Sequence, residues 1–284
     1  NETGEEIMAQ KWFEAYMDAI PEVPAGFALS NATSTSIDLS WVDNSGNETG
    51  FEIERSLTSS DEDFSNIHTV VAGTTSYTDI GLDNNTEYFY RIRAVNSTGA
   101  SLYTSVESTK TLPNPPAAPT GLSATAVDEN TIDLAWSDTN NENSYTIERS
   151  NTSGTDYEAI ITLSANITSY RDESLTEGTE YFYRIYATNP GGDSDYSNEA
   201  SAATDLAAPT NLSASAIDDQ SIQLNWIDVS THETGYKIER SQSSGSGFSQ
   251  IDSTSASATS YLDEGLDENT EYFYRVRATG NAGD

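Results

Sequence analysis

Cysteine is absent from this chain of 284 residues, so it holds no disulfide framework, Cys-ligated zinc, iron–sulfur cluster or thiol nucleophile. The compartment stays open on that count, because a secreted protein need not carry disulfides. Basic side chains are few: 12 Lys and Arg stand against 46 Asp and Glu, for a formal charge of −34. Phosphate binding needs clustered Lys and Arg, so this balance argues against a nucleic-acid partner and equally against an anionic membrane surface. Long apolar runs are missing too. Nothing approaches the ~18 residues of a membrane span, and no basic-then-apolar leader opens the sequence. Histidine occurs only as His68 and His232, at non-equivalent positions without a recurring Ser or Asp partner, which gives a catalytic triad no support. Gly245-Ser246-Gly247 lacks the Lys of a phosphate loop. An opening on Asn1 rather than Met is expected of a piece of a longer protein.

What the sequence does contain is a repeat. Ile37-Asp-Leu39-Ser-Trp41 returns as Ile132-Asp-Leu134-Ala-Trp136 and as Ile222-Gln-Leu224-Asn-Trp226. Phe51-Glu-Ile53-Glu-Arg55-Ser56 returns from Tyr145 and from Tyr236, and Thr86-Glu-Tyr88-Phe-Tyr90-Arg91-Ile92 from Thr179 and from Thr270. The tryptophans are 95 and 90 residues apart, the later tyrosines 93 and 91, so three copies of one module fill almost the whole chain. Each block alternates apolar and polar residues with period two, as a strand does with one face in a core and one in water. Asn, Asp, Gly and Ser clusters separate the blocks, which predicts antiparallel sandwiches rather than βαβ units. Seven of the eight prolines fall at module starts or linkers, and none interrupts a strand.

These residues resemble the fibronectin type III domain. The resemblance covers about residues 21–284 and rests on the leading Pro24, Pro119 and Pro209, the tryptophan of the second strand, the Tyr/Phe-x-Ile of the third, and a Leu-x5-Tyr corner at Leu82/Tyr88, Leu175/Tyr181 and Leu266/Tyr272. It implies an all-β fold of three tandem seven-stranded immunoglobulin-like sandwiches in an elongated rod, on the order of 100 Å long at about 3.3 Å per strand residue. The corner is similar to the tyrosine corner of such sandwiches, whose phenol ties back to the backbone. The boundaries are a helix over 1–20, module 1 over 21–112, module 2 over 113–206 and module 3 over 207–284. Module 3 has 78 residues against 92 and 94, so its last strand is expected to be missing from this sequence.

Most of the repeated side chains need no functional reading. Arg91, Arg184 and Arg275 should face outward opposite Glu54, Glu148 and Glu239 on the neighbouring strand, as cross-strand pairs worth ~0.2–1 kcal/mol each. Phe89, Phe182 and Phe273 are expected beside those arginines, at or near the surface. They either pack beneath the Arg stems or form with them a partner-contact face. The loop after each tryptophan is acidic, and Asp138, Asn140 and Glu142 are the calcium candidates, since calcium takes roughly six to eight oxygen ligands. Asp and Asn are also ordinary turn formers, and no EF-hand loop is present, so no cofactor is otherwise expected. Eight Asn-x-Ser/Thr sequons are compatible with sugar on loops.

Residues 3–20 differ in kind. Thr3-Gly-Glu-Glu6 reads as a capping box, and Met8, Trp12, Tyr16 and Ile20 recur every four residues with Phe13 and Met17 alongside. That predicts an amphipathic helix of about four turns stopped by Pro21, with Trp12, Phe13 and Tyr16 as partner-contact residues. It should pack on a preceding domain or on another chain. The whole reads as a non-catalytic extracellular spacer or adhesion stalk of a larger secreted or cell-surface protein, with a protein or polysaccharide partner, no membrane insertion, and head-to-tail self-association as a further option. Its wording resembles bacterial copies of the family. Two alternatives stand beside it: accessory modules of a polysaccharide-degrading enzyme, and a subunit of an extracellular filament or appendage.

Overall fold

The computed structural model describes residues 3–17, 19–59 and 61–280. Among these residues the fold is all-β apart from one α-helix, α1 (Gly4–Met17), and a short 3-10 turn at Asp61–Asp63. The capping box forms as expected. The Thr3 backbone N–H donates to Glu6 Oε2 at 2.7 Å, and the Glu6 N–H donates back to Thr3 Oγ1 at 3.4 Å. The helix ends at Met17, short of Ile20, and the Ala19 carbonyl accepts from the side-chain amides of Asn47 (3.2 Å) and Asn96 (2.9 Å) in module 1.

Module 1 has seven strands: β1 (Ala25–Ser30), β2 (Ser36–Val42), β3 (Gly50–Ser56), β4 (Ser65–Val71), β5 (Ser76–Ile80), β6 (Glu87–Val95) and β7 (Glu107–Lys110). They form two antiparallel sheets, β1-β2-β5 and β4-β3-β6-β7. Module 2 repeats them as β8 (Thr120–Asp128), β9 (Thr131–Ser137), β10 (Ser144–Ser150), β11 (Glu158–Ser164), β12 (Ser169–Asp172), β13 (Glu180–Asn189), the two-residue β14 (Gly192–Asp193) and β15 (Ala200–Ala203). Module 3 supplies β16 (Thr210–Ala216), β17 (Ser221–Ile227), β18 (Gly235–Ser241), β19 (Ser249–Ser255), β20 (Ser260–Glu264) and β21 (Phe273–Thr279). Among the described residues β21 has β18 as its only strand neighbour, whereas β6 and β13 each pair on both sides.

Alternation puts one face of every central strand inside. Along β6 the even positions Tyr88, Tyr90, Ile92 and Ala94 are buried between half-buried or exposed neighbours. With Ile37, Leu39, Trp41, Phe51 and Ile53 they make the first core. The second is built the same way from Ile132, Leu134, Trp136, Tyr145, Ile147, Tyr183 and Ile185, and the third from Leu224, Trp226, Tyr236 and Ile238. Each tryptophan tilts against the aromatic ring that opens the next strand, with centroids 5.5–5.8 Å apart.

One irregularity recurs. The pairing register shifts by a residue opposite Ile53/Glu54, Ile147/Glu148 and Ile238/Glu239, where the edge strand carries an extra residue. That residue is Ile67, Ile160 or Ile251, and each packs on its module's core. The bulge changes the phase of the edge strand, so in β4 Ile67 and Val70, three apart, both face inward.

Candidate functional site

The repeated charged residues meet in two places in each module. On the outer face of the sheet that holds the third and sixth strands, Arg91 Nε donates to Glu54 Oε2 at 2.8 Å and Arg184 Nε to Glu148 Oε2 at 2.6 Å, and Arg275 makes the same bond to Glu239. The expected cross-strand pairs therefore form, but Glu54 and Glu239 are buried rather than outward in water. Rings account for this. The Arg91 guanidinium lies 4.3 Å from the Phe64 centroid and 4.0 Å from that of Tyr103; Arg184 lies 4.2 Å from Tyr157 and 3.7 Å from Tyr196. Arg275 has Phe248 at 4.4 Å. Burial, followed by the bond to Glu54 and its charge, pushes the Tyr103 hydroxyl up to about 12, so it stays a proton donor to that carboxylate. Phe89, Phe182 and Phe273 are half-buried two positions before each arginine, and the rings stacked on the guanidiniums come from loops instead.

The second cluster joins the two sheets. Asp79 at the end of β5 accepts from Arg55 Nη1 at 2.8 Å and from the Tyr90 hydroxyl at 2.9 Å. Asp172 does the same with Arg149 (2.8 Å) and Tyr183 (2.9 Å), and Asp263 with Arg240 (2.8 Å) and Tyr274 (2.7 Å). All three aspartates are buried. Burial comes first in raising the three tyrosine hydroxyls, and the neighbouring carboxylate adds to it. Sequence reasoning missed this trio, although its signal was available: an Asp lies 11 residues before the second Tyr of every Tyr-Phe-Tyr block. Below it the tyrosine corner forms in all copies. Backbone N–H groups of Asp83, Thr176 and Asp267 donate to the hydroxyls of Tyr88 (2.8 Å), Tyr181 (3.0 Å) and Tyr272 (3.1 Å).

The remaining candidates are scattered. Asp138 Oδ1 accepts from the Tyr145 hydroxyl at 2.7 Å and Glu142 Oε1 from the Asn166 N–H at 3.1 Å, while Asn140 is exposed on the same loop. Among the described residues no three His, Asp or Glu side chains gather as a metal-holding group. His68 stacks on Tyr77 at 4.8 Å, and His232 lies on a loop of module 3 with Nδ1 3.0 Å from the Thr231 hydroxyl. On α1, Ile7, Met8 and Trp12 are exposed, Trp12 at 71%. The side chains of Phe13 and Tyr16 lie outside the described residues. Among those residues no helix is long and apolar enough to cross a membrane.

Comparison with known proteins follows the same modular division. The family model described as "Fibronectin type III domain" matches residues 22–111, 117–203 and 207–284. Exoglucanase B of Cellulomonas fimi is 30% identical over 93% of this chain and 24% of its own length. Titin of Drosophila melanogaster is 27% identical over 73% of the chain and 1% of its own length, and human neogenin 32% over 68% and 14%. The chain thus spans a quarter or less of these relatives. Among solved structures, the chicken CNTN1 FN1-FN3 domains align over 93% of this chain and 95% of that one, at 22% identity and a TM-score of 0.32.

Proposed function

The chain belongs to the fibronectin type III domain family, and we propose that it serves as a non-catalytic spacer or adhesion stalk outside the cell, as part of a larger bacterial protein. One observation carries this reading. The charged and polar groups common to all three copies are spent on one another, in the Arg–Glu stacks, the Arg–Asp–Tyr trios and the tyrosine corners. What the repeats share is therefore a frame. Domains of this family are non-catalytic modules, and a frame of this kind sets distance and orientation between whatever lies at its two ends. The acidic surface, which keeps like chains apart, suits that task.

The similarity to exoglucanase B favours a second reading, in which the same modules are accessory to a polysaccharide-degrading enzyme. Co-sedimentation with microcrystalline cellulose separates the two. A spacer stays in the supernatant at every cellulose loading. Saturable depletion of the intact chain from solution would replace the spacer reading with the accessory one.

A further inference from the structure

Modules 2 and 3 fall within one compact unit, which begins at Pro116, and a single carboxylate ties them together. Glu177 lies on the turn before β13, two residues after the corner leucine Leu175. Its Oε2 accepts from the Ala207 N–H at 2.7 Å and the Ser230 hydroxyl at 3.1 Å; its Oε1 accepts from the Thr231 N–H and, at 2.9 Å, from the Thr231 hydroxyl. All four donors belong to the linker or to the loop after Trp226 in module 3. His232 Nδ1 stands 3.7 Å from Oε1. Only 11% of the Glu177 side chain remains exposed. Burial by itself would raise its pKa, but the donors outweigh burial and hold it at about 2, so the group is anionic under ordinary conditions.

Module 1 shows what this carboxylate replaces. There Ser45, the counterpart of Ser230, receives the N–H of Glu22, the counterpart of Ala207, directly on its own Oγ at 3.3 Å. In module 3 the two counterparts no longer meet, and both donate to Glu177 of the preceding module. The counterpart of Glu177 in module 1 is Asn84, which is exposed.

A second contact lies beside the first. Leu206 packs on the third core and also presses on Gly178, where a Cβ would come within 2.7 Å of Leu206 Cδ2, and on Gly280, where one would come within 2.9 Å of Cδ1. Gly178 has φ +58°, yet that conformation is not what requires glycine. Asn85 and Asn269 hold the same place in modules 1 and 3 at φ 53° and 54°. Glycine stands at 178 because Leu206 occupies the space an asparagine side chain would need.

We propose that Glu177 is a positioning residue that locks modules 2 and 3 into one rigid segment, with Leu206 wedged beside it. The lock is a property of the joint and holds whether or not the spacer reading does. Its test uses the full chain, whose lack of cysteine permits two nitroxide labels at exposed positions, Ala159→Cys in module 2 and Ser253→Cys in module 3. Electron–electron resonance should give one narrow distance distribution in this background. Glu177→Ala should at least double its width, Glu177→Gln should broaden it less, and Gly178→Asn should broaden it while leaving the carboxylate in place. Glu268→Ala, at the equivalent turn of module 3, should change nothing. Tryptophan fluorescence checks that modules 2 and 3 stay folded in each variant. A broad distribution in the labelled parent, or an unchanged narrow one in folded Glu177→Ala and Gly178→Asn, overturns the proposal.

Discussion

One buried aspartate in each module joins two partners. Asp172 sits on the smaller sheet and is reached by Arg149 and Tyr183 from the larger one, so it acts as a polar rivet through an apolar core. Removing it leaves a guanidinium and a phenol facing a cavity. Asp172→Ala should cost about 2–3 kcal/mol, short of the full penalty for breaking a buried pair because Arg149 keeps 31% of its side chain in water. Denaturant unfolding followed through Trp136 measures this, and a loss within error of zero would show the rivet to be ornamental. Tyr183→Phe should cost less, about 1 kcal/mol, since Asp172 keeps its arginine.

At the scale of strands, much of the architecture was legible and one class of detail was not. Period-two alternation around Trp41, Trp136 and Trp226 identified the central strands because their two faces meet different solvents. The edge strands β4, β11 and β19 defeat that rule, since the extra isoleucine in each moves the apolar phase by one. The outer face was half legible. Glu–Arg pairing follows from strand adjacency, but the rings that cover it arrive from Phe64, Tyr103, Tyr157 and Tyr196, whose placement depends on loop paths that no local pattern encodes. The Glu177 joint was invisible for the same reason. Strand starts carry a sharper constraint: a Cβ at Gly235 would fall 2.1 Å from the Thr254 carbonyl oxygen. Gly235→Ala should therefore push β18 and β19 apart and destabilise module 3 by about 1–3 kcal/mol, read as a lower denaturation midpoint for Trp226 with that of Trp136 unchanged.

For the molecule as a whole, acid is the informative variable. The folded-state pKa of Glu177 is depressed, so the stability it gives the second unit is fully present above the ordinary carboxylate value of 4.5 and drains away as pH falls through about 2. His232 stands beside it, and its charge also reaches the Tyr236 hydroxyl, which bonds to Asp228 and feels Glu233. Between pH 4.5 and 2 the separation of modules 2 and 3 should lose its single value before either sandwich unfolds, as scattering or paired labels would record. A tandem of near-copies also faces a hazard of synthesis: a nascent module can borrow a strand from its neighbour and tangle. The extra isoleucines bear on that hazard. A strand kinked at Ile67, Ile160 or Ile251 offers an intruding backbone a broken row of partners, so the same side chain that fills each interior also keeps sibling modules from zippering into one another.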